Sequence, residues 1–143
     1  MAINVLIIDD DPLVRDDVGY IVAELGATPL YAGNGAEALD IYRGSAKSVK
    51  LIICDTRLDV SSEVGYEVYD SLKNEGYVGR ALGRSGGSQV TVGARGTPTC
   101  LINPELFKSV ENVEEEWRKR GADYQDKGTS NSDLKRKIKE LLF

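Results

Sequence analysis

Acids and one amine, each placed at the end of a stretch that reads as a strand, carry the chemistry of this sequence. Asp9-Asp10-Asp11 follow Val5-Leu6-Ile7-Ile8, Asp55 closes Leu51-Ile52-Ile53-Cys54, and Lys127 ends Gly121-Ala122-Asp123-Tyr124-Gln125-Asp126. Each stretch reads as the end of a buried parallel strand. In an open α/β sheet, the residues just past the carboxyl ends of the strands share one crevice, and ligands bind there. Three carboxylates and an ammonium gathered in that crevice suit a divalent cation and a phosphoryl group. Magnesium takes hard oxygen ligands and commonly needs only one or two carboxylates, here Asp10 and Asp55, with Asp9 holding a metal-bound water. Like charges brought together without a cation raise at least one carboxylate pKa, so a metal or Lys127 must balance them. An aspartate can also attack phosphorus as a nucleophile and form an acyl phosphate.

Alternating strand and helix signals position these groups. Ile3 to Ile8 is a short β-branched run, after which Asp11 caps a helix with Pro12 at its first position. Val14, Val18, Ile21, Val22 and Leu25 form the core-facing stripe of that helix, and Gly26 ends it. Thr28 to Ala32 is a second strand, and Asn34 caps a helix carrying Ala38, Leu39 and Tyr42. Lys50 to Asp55 is the third strand, followed by a loop to Glu63 and a helix from about Val64 to Glu75. Arg80 to Ser85 supplies a fourth strand, although Gly83 and Arg84 are poor strand-core residues. Gly86 to Asn103 is rich in Gly, Thr, Ser and Pro and reads as an extended insertion with a short strand at Gln89-Val90-Thr91-Val92. Pro104 opens a helix through Phe107, Val110, Val113 and Trp117, the last of these a packing residue. Gly121 to Asp126 is the fifth strand, and Asn131 or Ser132 caps a final helix with Leu134, Ile138, Leu141 and Leu142 on one face.

Five β–α units in sequence imply a parallel sheet covered on both sides. With right-handed crossovers, the expectation is a flavodoxin-like (βα)5 doubly wound sheet of strand order 2-1-3-4-5, carrying its insertion after the fourth strand. The 143 residues form one expected domain, 1–143. A composition of 41% apolar and 29% charged residues is ordinary for a globular protein, and a net charge of −5 argues against a direct nucleic-acid binder. The absence of a membrane-length apolar run or a secretory signal makes the cytoplasm the expected compartment. Cys54 and Cys100 are expected as reduced thiols. The chain contains no histidine, which removes imidazole bases and the usual zinc sites.

The chain resembles a response-regulator receiver domain of two-component signalling, of the CheY-like type. The resemblance rests on Val5-Leu6-Ile7-Ile8-Asp9-Asp10-Asp11-Pro12, Leu51-Ile52-Ile53-Cys54-Asp55, Gly76-Tyr77-Val78-Gly79 leading to Ser85-Gly86, and Gly121-Ala122-Asp123-Tyr124-Gln125-Asp126-Lys127. It implies that Asp55 is the phosphoacceptor and that Asp9, Asp10 and Asp55 hold Mg²⁺ with the backbone carbonyl of Arg57. It further implies that Lys127 and Ser85 contact the phosphoryl oxygens, and that Ser85 and Tyr124 form the switch pair. The implied donor is a phosphohistidine on a sensor histidine kinase or phosphotransfer protein, and the implied output is altered binding of a downstream protein partner. A receiver domain is a phosphoacceptor rather than an enzyme in the ordinary sense.

The sequence also departs from the family pattern. The loop after Asp55 is longer and more polar, Gly128 stands where a proline usually follows the lysine, and Arg84 replaces an apolar strand residue. Ser85 and Lys127 are separated by 42 positions, well beyond the family interval. Two alternatives follow from the residues. One is a receiver-like interaction module that needs no phosphate. The other is a Mg²⁺-dependent phosphohydrolase with Asp55 as nucleophile, which wants a second Asp two residues later, where the chain has Arg57.

Overall fold

The apolar run Asn4–Ile8 forms strand β1, and Asp11 turns the chain into helix α1, Pro12–Glu24, by accepting a hydrogen bond from the Leu13 amide. This is a computed structural model, and it describes residues 3–45, 48–58, 63–86, 89–91 and 110–143. Thr28–Ala32 is β2, Gly35–Ser45 is α2, Val49–Asp55 is β3, Gly65–Asn74 is α3 and Arg80–Ser85 is β4. Two three-residue strands follow, β5 at Gln89–Thr91 and β6 at Val110–Asn112. Helix α4 spans Val113–Arg118, β7 spans Asp123–Asp126 and α5 spans Asn131–Leu142.

One five-stranded sheet has the order β2-β1-β3-β4-β7 with parallel neighbours, which is the 2-1-3-4-5 order of the doubly wound fold. Alternation along each strand sends side chains into two cores. Val5, Ile7, Leu51, Ile53 and Leu82 pack with Val18, Ile21 and Val22 of α1 and Leu134 and Ile138 of α5. Leu6, Ile8, Ile52, Cys54 and Ala81 pack on the opposite face with Tyr42, Tyr69, Leu72 and Trp117. Both faces of the central strands are therefore sealed, as a parallel sheet requires. Cys54 is buried and free, while Cys100 lies outside the described residues. Among the described residues no helix is long and apolar enough to cross a membrane.

Glycine is needed where α1 and α3 end, because Gly26 and Gly76 adopt φ of 87° and 108°. Gly83 has a different task. A Cβ at that position would lie 2.2 Å from the Trp117 ring, so the missing side chain lets α4 lie against β4.

The structure corrects three expected boundaries. Val110 belongs not to a helix but to β6, which pairs antiparallel with β5, and α4 starts only at Val113. The spacing of Val110, Val113 and Trp117 mimics a helical stripe, but Asn112 accepts a bond from the Glu115 amide and fixes the helix start after itself. Pro104 and Phe107, with most of the expected insertion, lie outside the described residues. The last helix is capped by Ser130, whose hydroxyl accepts from Asp133 N, rather than by Asn131 or Ser132. The fifth parallel strand begins at Asp123, because Gly121, at φ 84°, and Ala122 complete the turn that closes α4.

Candidate functional site

Asp9 stands immediately after β1, Asp55 is the last residue of β3 and Lys127 immediately follows β7. The parallel order sets these strand ends side by side, and the Lys127 ammonium lies 3.0 Å from Asp9 Oδ2 and 3.1 Å from Asp55 Oδ1. One carboxylate oxygen from each of Asp9, Asp10 and Asp55 lies within 4.8 Å of the others. Asp9 is further held by the Asp11 amide, which donates to its Oδ1 at 3.0 Å, and Asp55 by the Thr56 amide, which donates to its Oδ1 at 2.9 Å. These backbone donors orient the acids before any ligand arrives.

Burial divides the cluster. Asp9 and Asp55 are 4% and 9% exposed, whereas Asp10 is open to solvent. Burial, followed by repulsion from Asp9, pushes the Asp55 carboxyl up to about 6 in spite of Lys127. Asp10 is raised for the same two reasons in the same order. Burial works against the Lys127 ammonium, but attraction by Asp55 and Asp9 outweighs it and holds the amine above its ordinary range. An all-oxygen set with one open member matches a hard cation that keeps several waters, so the residues present fit Mg²⁺.

Ser85 closes β4, and its carbonyl accepts the Lys127 amide at 2.8 Å, which ties the two strand ends together. Its hydroxyl lies 2.7 Å from the Tyr124 hydroxyl, both groups being buried. Arg57 is exposed, and its backbone forms an isolated antiparallel bridge with Val64, with Gly65 N bonded to Thr56 O at 2.6 Å.

Two residues of the site neighbourhood escape a reading of motifs. Thr56 is fully buried, and its hydroxyl donates to Arg84 O at 2.8 Å while accepting the Trp117 indole N–H at 3.0 Å. Trp117 is thus a polar neighbour of the Asp55 loop as well as the packing residue expected. Arg84 is 7% exposed, on the strand beside Asp55. Its charge was visible in the sequence, but its burial was not.

No family model matches the chain. A stretch of 56 residues, 39% of this chain and 39% of the relative, is 41% identical to the two-component response regulator ARR22 of Arabidopsis thaliana. Similarity of structure extends much further. The chemotaxis protein CheY4 of Vibrio cholerae superposes with a TM-score of 0.73 at 19% identity, over 99% of this chain and all of that one. A response regulator receiver domain protein from Clostridium thermocellum gives 0.68 at 19% identity, over 98% and 94%. A co-crystal structure of the Saccharomyces cerevisiae histidine phosphotransfer protein Ypd1 with the receiver domain of its downstream response regulator Ssk1 gives 0.66 at 20% identity, over 99% and 89%. The chain has the receiver-domain fold.

Proposed function

We propose that this chain is a response-regulator receiver domain that takes a phosphoryl group onto Asp55 and thereby switches its binding of a protein partner. The observation carrying this reading is the convergence of Asp9, Asp10, Asp55 and Lys127 at the ends of three parallel strands of a receiver fold. In the transfer, an Asp55 carboxylate oxygen attacks phosphorus and the phosphorus–nitrogen bond of a phosphohistidine breaks. The departing imidazole nitrogen keeps the bonding electron pair. Catalysis of such a transfer is mostly alignment and charge neutralisation. The Thr56 amide aligns the nucleophile, and Lys127 supplies a positive charge for the incoming oxygens. Mg²⁺, held by Asp9, Asp10, Asp55 and the Arg57 carbonyl, would neutralise further phosphoryl charge when bound.

The likeness to a receiver solved with a histidine phosphotransfer protein supports a phosphohistidine donor. Ser85 would turn its hydroxyl towards the acquired phosphoryl oxygens. Because that hydroxyl is bonded to Tyr124, the turn reaches the β4–β7 side of the sheet and gives the switch its first step. Arg57 stands where a phosphohydrolase would want its acid, which disfavours that alternative.

Incubation with Mg²⁺ and acetyl phosphate, followed by intact-protein mass spectrometry, tests the reading. The expected result is a gain of one phosphoryl group that disappears in Asp55→Asn. No gain, or a gain that survives the substitution, overturns it.

A further inference from the structure

Arg84 carries a positive charge beside the acidic cluster yet bonds to none of its members. It is the register partner of Asp55 across β3 and β4. Alternation puts both residues on the sheet face that Leu51, Ile53 and Leu82 share with α1 and α5. Arg84 is 7% exposed, and its Nε has no hydrogen-bond partner. Lys127 takes the ion pairs to Asp9 and Asp55, and among the described residues the Arg84 guanidinium makes no ion pair. Burial disfavours its charge, while Asp9, Asp55 and Asp126, in that order, attract it.

Buried arginine donors without partners are costly, and a leucine or valine would fill a strand position at no such cost. What Arg84 adds at this position is a fixed positive charge. We propose that Arg84 is a built-in counter-cation that sets how tightly Asp9, Asp10 and Asp55 hold a divalent cation. With Lys127 it sets two positive charges against three carboxylates, so the cluster is largely balanced before metal binds. A divalent ion entering the cluster is repelled by Arg84, and its affinity is lower than the three acids alone would give. Arg84 acts here through the field it imposes on the acids and makes no contact with reacting atoms. The inference rests on the reading of the cluster as a Mg²⁺ site.

Isothermal titration of Mg²⁺ into the full chain at fixed pH tests it, with wild type, Arg84→Met, Arg84→Gln and Arg84→Lys compared. The neutral variants should bind Mg²⁺ on the order of tenfold more tightly, while Arg84→Lys stays close to wild type. The difference should persist at about 0.5 M KCl, because a buried charge is screened far less than an exposed one. Circular dichroism establishes that each variant is folded, and Arg84→Gln decides the matter if Arg84→Met is not. A folded neutral variant with unchanged or weaker Mg²⁺ affinity overturns the inference, as does an Arg84→Lys that tightens as much as Arg84→Met. Acetyl phosphate labelling of wild type runs in parallel. If wild type neither binds Mg²⁺ nor gains a phosphoryl group, the proposed function falls. If wild type does both and the variants show no tightening, the role of Arg84 falls alone.

Discussion

The Trp117 indole donates its N–H to the Thr56 hydroxyl at 3.0 Å, joining residues 61 positions apart within the fully buried interior. Thr56 also donates its amide to Asp55 Oδ1, so a single residue touches both the candidate phosphoacceptor and the only tryptophan of the chain.

Trp117 should therefore report on the site. Adding Mg²⁺ with beryllofluoride is expected to shift its fluorescence emission or intensity in wild type, and to leave it unchanged in Asp55→Asn. Thr56→Val removes the acceptor of the indole N–H and should lower stability by about 1–3 kcal/mol, as for other buried donors left unpaired. Urea unfolding of the two proteins measures that difference.

Stability without metal should depend on pH through Asp55. Its carboxyl stands at about 6 in the fold against an ordinary 3.8, so the folded state holds the proton more tightly than the unfolded chain does. The resulting contribution is fully present below the ordinary value and is lost as pH rises through about 6. Between pH 4 and 7 it amounts to roughly 2–3 kcal/mol. Asp55→Asn should flatten that slope and stabilise the metal-free protein at neutral pH, as seen by thermal or urea unfolding across the range. Acceptance of a phosphoryl group, which needs the carboxylate, should fall in rate below about pH 6.

Lys127→Met removes the cation bonded to both Asp9 and Asp55. With the repulsion from Asp9 left unopposed at close range, the Asp55 carboxyl should rise above its present value, an effect that carbon-detected NMR titration would resolve. Labelling by acetyl phosphate should slow by more than about tenfold, the scale seen when a preorganised electrostatic group is removed.

Gly83→Ala places a methyl carbon 2.2 Å from the Trp117 ring. The helix α4 must then move off the sheet, and a loss of about 1–3 kcal/mol is expected from this overpacking. The same variant should alter Trp117 emission before any ligand is added. A neutral outcome in both measurements would contradict the tight approach of α4 to β4.

The acids were legible because each follows or ends an apolar run of strand length, and Lys127 because it closes the Gly-Ala-Asp-Tyr stretch; parallel strands bring such ends together whatever their separation in sequence. The order of the sheet followed from the right-handed crossover. Val110 misled because a β-branched residue three positions before Val113 satisfies helical spacing and strand preference equally well, and only the pairing with β5 decides between them. The bond between Thr56 and Trp117, and the burial of Arg84 opposite Asp55, arise from packing between distant elements. No local period encodes either one.

The antiparallel pairing of Gln89–Thr91 with Val110–Asn112 has a consequence for the architecture of the chain. It clasps the backbone just beyond Ser85 to the residues that lead directly into the helix bearing Trp117. The exit from β4 and the entrance to α4 are thereby held as neighbours, so hydrogen bonds between two short strands deliver the Trp117 helix to the sheet.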